Sequence, residues 1–159
     1  EEADGWWWTV PKEKTKNARH EDATDLRVPL VGRALEVIRR RMEWYGKGPL
    51  FPAKKSGPPT SIEQNTIQTR IYYHQPYCQT RPTMKRARLT VTHWTPHDLR
   101  RTTRTLLARL GCPSDTGEVI IGHMLGGSEG IYNLYAYDAE RRIWLTKVSD
   151  HLEHLAAQV

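Results

Sequence analysis

Four side chains carry most of the chemical potential of this chain: His97 and Arg100 in His97-Asp-Leu-Arg100, His123 in Gly122-His123, and Tyr132, nine residues beyond that histidine. Two imidazoles, a guanidinium and a phenol are the parts needed to break a phosphodiester without a metal or a high-energy cofactor. That reaction requires a nucleophile, donors for the charge on the phosphoryl oxygens, and a proton for the departing sugar oxygen. Arg100 offers a planar fork of donors that fits two phosphate oxygens at once. His97 falls near a predicted helix N-terminus, which itself favours anions, and can donate to the phosphate or accept the proton of the phenol. His123 supplies a further donor. An unperturbed phenol has a pKa of about 10, so Tyr132 needs cationic surroundings or a base to attack at neutral pH. The product is a phosphotyrosine link that conserves the bond energy and lets a different DNA end attack and rejoin. Such chemistry exchanges strands and does not hydrolyse them. No Asp/Glu cluster of the kind that holds two magnesium ions stands out, which disfavours an ordinary nuclease; the expectation is that no metal and no cofactor takes part.

The 159 residues include 24 Lys and Arg against 18 Asp and Glu, a net charge of +6. The basic residues gather in Arg39-Arg40-Arg41, in Lys85-Arg86-Ala-Arg88, and in Arg100, Arg101 and Arg104. This clustering points to a polyanionic partner, double-stranded DNA; the plainer alternative is a solvated basic face. The length suggests one main core and one compact unit. No apolar run approaches the roughly 20 residues that cross a bilayer, and Glu1-Glu2-Ala-Asp lacks the pattern of a secretory leader. Cys78 and Cys112 have no paired spacing, which fits a reducing compartment and gives no support for zinc. The expectation is a cytoplasmic protein without a membrane partner.

These groups must be positioned by a small set of elements. Trp6-Trp7-Trp8-Thr9-Val10 and Leu26-Arg-Val28-Pro-Leu30 flank the polar segment Pro11 to Asn17, which suggests an antiparallel hairpin with a long turn. Leu35, Ile38 and Met42 recur at helical spacing between Val31 and Trp44, with Gly46 as the stop. Lys47 to Pro59 is a surface connection. Thr60-Ser-Ile-Glu63 has capping-box spacing, so a helix should start there and bury Ile62, Ile67 and Ile71. Its polar side holds Gln64, Gln68 and Arg70, set for a base edge or phosphate or simply for water. His74 to Thr92 is a basic loop whose length suggests contact with DNA or disorder. Thr95-Pro96 starts a helix that ends at Gly111, with Leu99, Thr103, Leu106, Leu107 and Leu110 buried. His97, Arg100 and Arg104 share another face. A helix from Pro113 or Ser114 buries Val119, Ile120 and Ile121, Ser128 caps a short helix carrying Tyr132, and Asp138 caps the last helix. The fold class is mainly α with a small antiparallel β-hairpin, that is, α+β.

From about Trp6 onward the chain resembles the catalytic domain of a phage integrase of the tyrosine recombinase family. The residues that carry the resemblance are Trp8-Thr-Val-Pro with Thr15-Lys16-Asn, Arg27-Val-Pro-Leu30, Trp94-Thr-Pro-His97-Asp-Leu-Arg100-Arg-Thr, Ile121-Gly-His123 and Ile131-Tyr132-Asn-Leu-Tyr135. The resemblance implies that Tyr132 is the nucleophile, Arg100 the second active-site arginine, and His97 and His123 the two histidines. It implies that Lys16, in the hairpin turn, is the general acid toward the leaving 5′ oxygen; otherwise it is one more solvated lysine beside Lys12 and Lys14. Tyr135 and Tyr137 are rivals for the nucleophile. Arg70, Lys85, Arg86, Arg88, Arg101 and Arg104 are the candidate DNA contacts. The partners implied are double-stranded DNA and further copies of the chain, a tetramer on DNA in the complete enzyme.

The family also has a first active-site arginine in a Thr-Gly-x-Arg-x-Gly-Glu-like motif before the hairpin, and a separate N-terminal DNA-clamping domain. Neither has a counterpart here. The expectation is therefore a recombinase catalytic domain lacking its first helices, weak or inactive alone, with an exposed apolar patch at Trp6 to Trp8. Two alternatives remain open: a basic DNA-binding remnant without catalysis, and a type IB topoisomerase-like enzyme.

Overall fold

Aromatic and branched residues favour extended backbone, and Trp7–Val10 (β1) pairs antiparallel with Leu26–Pro29 (β2). The register sets Trp7 opposite Pro29 and Val10 opposite Leu26, so the proline stands at a strand end. The structure is a computed structural model that describes residues 1–21, 23–53, 58–91, 93–123 and 137–158. Five α-helices among these accompany the two-stranded sheet, so the chain is mainly helical with a small antiparallel sheet. They are α1 (Gly32–Tyr45), α2 (Gln64–Tyr73), α3 (Pro96–Arg109), α4 (Ser114–Ile120) and α5 (Asp138–Ala156). None of the described helices is long and apolar enough to cross a membrane.

Length suggests one compact unit, yet the contacts gather in two: Glu1–Val37 with Arg100–Val159, and Ile38–Leu99. In the first, Leu107, Cys112, Ile120 and Val148 form the core, with Leu110, Trp144 and Leu145 packed against it. Leu107 is completely enclosed. This core joins α3, α4 and α5, as their apolar spacing predicts. The hairpin is fastened to α5 by charge: Arg27 donates to Asp138 at 2.7 Å and also pairs with Glu2 at 2.8 Å. The Arg27 and Arg142 guanidiniums each lie 4.5 Å from the centroid of the Trp7 ring, a cation–π arrangement that covers much of that indole. Trp6 and Trp7 are half-buried and only Trp8 is well exposed, so the expected patch narrows to one tryptophan.

The second unit has little apolar interior among its described residues. Its buried side chains are Gln75 and Cys78. The basic segment after α2 folds back through polar links, with Arg88 Nη1 donating to the carbonyls of Gln75 at 2.7 Å and Cys78 at 2.8 Å. The Leu89 amide donates to the His74 carbonyl at 2.8 Å, and Tyr77 stacks flat on His93 at 4.9 Å.

Several local expectations are corrected. The capping box at Thr60 does not form: Ser61 bridges Pro52 and the Ile62 amide donates to the Phe51 carbonyl, so extended pairing uses the backbone there and α2 begins at Gln64. Ile67 is exposed rather than buried, and Leu99 is 56% exposed because α3 meets its core only from its middle onward. Asp138 is not a cap, since its carboxylate is drawn to Arg27 and Arg141. The N-cap of α5 is Tyr137, in the left-handed region at φ 56°.

Candidate functional site

The start of α3 is fixed as its sequence requires. Pro96 occupies the first helical position, and the Asp98 carboxylate reaches back to the Thr95 amide at 2.9 Å and the Thr95 hydroxyl at 2.8 Å. His97 is exposed in this first turn and Arg100 lies one turn on along the same helix. Arg100 is half-buried, and its Nη2 is enclosed without a hydrogen-bond partner among the described residues.

The end of α4 places His123. Gly122 takes the left-handed conformation at φ +74°, which glycine adopts without steric cost. The Gly122 amide donates to the Val119 carbonyl at 3.0 Å and the His123 amide to the Glu118 carbonyl at 3.0 Å. These two bonds are a Schellman closure, and they fold the chain back over its last turn. The imidazole thereby meets the side chain of the same residue: Nδ1 of His123 lies 2.6 Å from Oε2 of Glu118. Glu118 is held on its other oxygen by Arg104 Nε at 2.7 Å, and Arg104 Nη2 also donates to the Ser114 hydroxyl at 3.1 Å. The hydrogen bond from Arg104, then that from His123, outweigh burial and keep the Glu118 carboxyl below the usual carboxylate range.

The hairpin turn reaches the same corner. Lys12–Lys14 forms a single 3-10 turn, after which the Thr15 hydroxyl donates to the Lys12 carbonyl at 2.9 Å and receives the Asn17 amide at 3.2 Å. Asn17 Nδ2 donates to the Gly122 carbonyl at 3.4 Å. Lys16 is exposed between these two anchored residues.

Not every sequence-derived site residue joins this group. Within the first unit the Lys16 turn, the His123 corner and Arg104 are linked by hydrogen bonds, and Arg101 is exposed on α3. Arg104 spends its guanidinium on Glu118 and Ser114. Of the candidate DNA contacts in the second unit, Arg70 and Lys85 are exposed, whereas Arg86 donates to the Thr80 and Arg81 carbonyls and Arg88 to those of Gln75 and Cys78. His97 groups with that second unit. Tyr132, its rival Tyr135 and the short helix expected from Ser128 lie outside the described residues.

Two residues escape the sequence reading. Glu118 has a legible signal: an acid five positions before a histidine that follows a helix-ending glycine is brought onto it by the Schellman fold. Asn17 beside Lys16 has no such signal, because its partner is 105 positions away. Among the described residues no group of three His, Cys, Asp or Glu side chains is arranged to hold a metal ion. No family model, curated protein or solved structure matches the chain.

Proposed function

We propose that the chain is a catalytic domain of a tyrosine site-specific recombinase, cutting duplex DNA by attack of Tyr132 and forming a 3′-phosphotyrosyl intermediate. Arg100 and His123 bind the phosphoryl oxygens, His97 donates to the phosphate or takes the phenol proton, and Lys16 protonates the leaving 5′ oxygen. The observation that carries this reading is Arg100 Nη2, one of several enclosed side-chain nitrogens without a hydrogen-bond partner among the described residues and the one that belongs to a sequence-derived active-site residue. A guanidinium nitrogen withdrawn from water without an acceptor is unfavourable, and a phosphate oxygen supplies the missing partner with the geometry a planar fork prefers. The link from Asn17 to the Gly122 carbonyl adds support, because it ties the turn that bears Lys16 to the residue before His123. Exposed Lys85, Arg70 and Arg101 add positive charge for the flanking backbone. The partners under this reading are duplex DNA and further copies of the chain.

The test uses the complete natural polypeptide that contains this chain and a pool of randomised duplexes with bridging 5′-phosphorothiolate links, which trap a covalent intermediate. An adduct that survives denaturant and maps to Tyr132 is the expected result. Binding that weakens steeply with salt, with no adduct, would instead identify a non-catalytic DNA-binding protein. Relaxation of supercoils without sequence preference would identify a topoisomerase-like enzyme.

A further inference from the structure

We propose that Glu118, anchored by Arg104, is a positioning residue for His123: it holds the imidazole with a proton on Nδ1 and so reserves Nε2, the nitrogen that donates to the scissile phosphate when the ring carries its second proton. The inference rests on the recombinase reading of His123 and deepens it.

A carboxylate accepts hydrogen bonds and donates none, so a 2.6 Å contact with Nδ1 requires the proton to sit on that nitrogen. Nε2 is then the remaining nitrogen, an acceptor in the neutral ring and a donor in the imidazolium. Glu118 is itself held through both its side chain and its main chain. Oε1 takes Arg104 Nε at 2.7 Å, and the backbone carbonyl of Glu118 takes the His123 amide at 3.0 Å. The imidazole is thus tied to residue 118 by main chain and side chain together, which removes both its tautomeric and much of its rotational freedom.

The sequence around Glu118 is consistent with this arrangement at two further positions. Gly117 lies inside α4, where glycine is unfavourable relative to alanine by about 0.5–1 kcal/mol, yet a Cβ there would stand 3.1 Å from Arg104 Cζ. The bare backbone lets the guanidinium lie close to α4 and reach Glu118. At the other end, a Cβ on Gly122 would stand 3.3 Å from Leu26 Cδ2 in a left-handed backbone that disfavours any side chain. Both glycines sit where a larger residue would disturb the Arg104–Glu118–His123 series.

The experiment records long-range 1H–15N ring spectra of the whole 159-residue chain, free of DNA and at a pH where the ring is neutral. His123 is expected as the Nδ1–H tautomer. Glu118→Met is expected to release it toward the Nε2–H form, whereas Glu118→Gln, which retains an acceptor oxygen, keeps it. In the adduct assay on the complete polypeptide, Glu118→Met should slow covalent attack on the order of 10- to 100-fold, the scale seen when a metal-bound histidine loses the partner that orients it. Glu118→Gln should recover most of that rate. A wild-type Nε2–H tautomer, or an unchanged tautomer in Glu118→Met, overturns the proposal; if Glu118→Met does not fold, the wild-type and Glu118→Gln spectra decide alone. An Nδ1–H tautomer without any Tyr132 adduct defeats the recombinase reading and leaves the histidine geometry standing. An adduct whose rate ignores Glu118→Met defeats the positioning role only.

Discussion

Asn17 donates through Nδ2 to the carbonyl of Gly122 at 3.4 Å, joining the hairpin turn to the corner that presents His123. The bond is long and partly buried, so its own contribution to stability is small. Its consequence is geometric, because Lys16 sits between Thr15 and Asn17 and moves with them. Asn17→Ala should therefore reduce stability by less than about 1 kcal/mol in urea unfolding while slowing adduct formation more than that loss explains. Equal, small effects on both readouts would show that the turn does not position Lys16.

Gly122→Ala places a side chain in a left-handed backbone and presses it against Leu26. The expected loss is about 1–2 kcal/mol, read as a lowered unfolding midpoint. A fully stable variant would mean that α4 ends differently from the Schellman closure described.

Leu107 is completely enclosed by the core that joins α3, α4 and α5. Truncating it should cost about 2–5 kcal/mol, the range for a leucine that leaves a cavity. Because α3 also carries Arg100, Leu107→Ala should loosen that arginine even in molecules that remain folded. Urea unfolding measures the first effect and salt-dependent duplex binding the second.

The acid limb of stability should contain a contribution from Glu118. Its folded-state pKa is depressed by the hydrogen bonds from Arg104 and His123, so the stabilisation is complete above the unfolded value and is lost as pH falls through the folded one. Wild type should exceed Glu118→Gln above the ordinary glutamate value of 4.5, and the margin should close as pH falls below it. The carboxylate is partly exposed, so solvent screening keeps the margin on the order of 0.5 kcal/mol. Denaturant midpoints taken from neutrality down through the carboxylate range, about pH 4, measure it. A margin that persists or widens well below 4.5 would contradict the sign.

Local signals were legible where residue type alone decides the backbone. Thr95-Pro96 marks the start of α3, Gly46 ends α1, and the alternation of β-prone runs around Pro11 to Asn17 forms the hairpin. What misled was the choice between equally good local options. Thr60 to Glu63 can cap a helix, but Ser61 and Ile62 pair with the Phe51–Pro52 segment instead. Ile67 and Leu99 follow helical spacing, and whether a stripe is covered depends on what packs against it. The arginines show the same principle. Arg86, Arg88 and Arg104 read in the sequence as positive charges set for DNA, but they satisfy carbonyls or a carboxylate within the fold. Sequence spacing likewise set His123 beside a helix end without revealing that Glu118 would be its partner.

The central claim is covalent attack by the phenol at position 132, and trapping the intermediate tests it most directly. The complete polypeptide and its Tyr132→Phe variant are incubated with the phosphorothiolate duplex pool, and the adduct is located by peptide mass spectrometry. The account predicts a DNA-linked peptide containing Tyr132 in the wild type and none in the variant. An adduct that persists in Tyr132→Phe, or a wild type that binds duplex and never forms one, would contradict it.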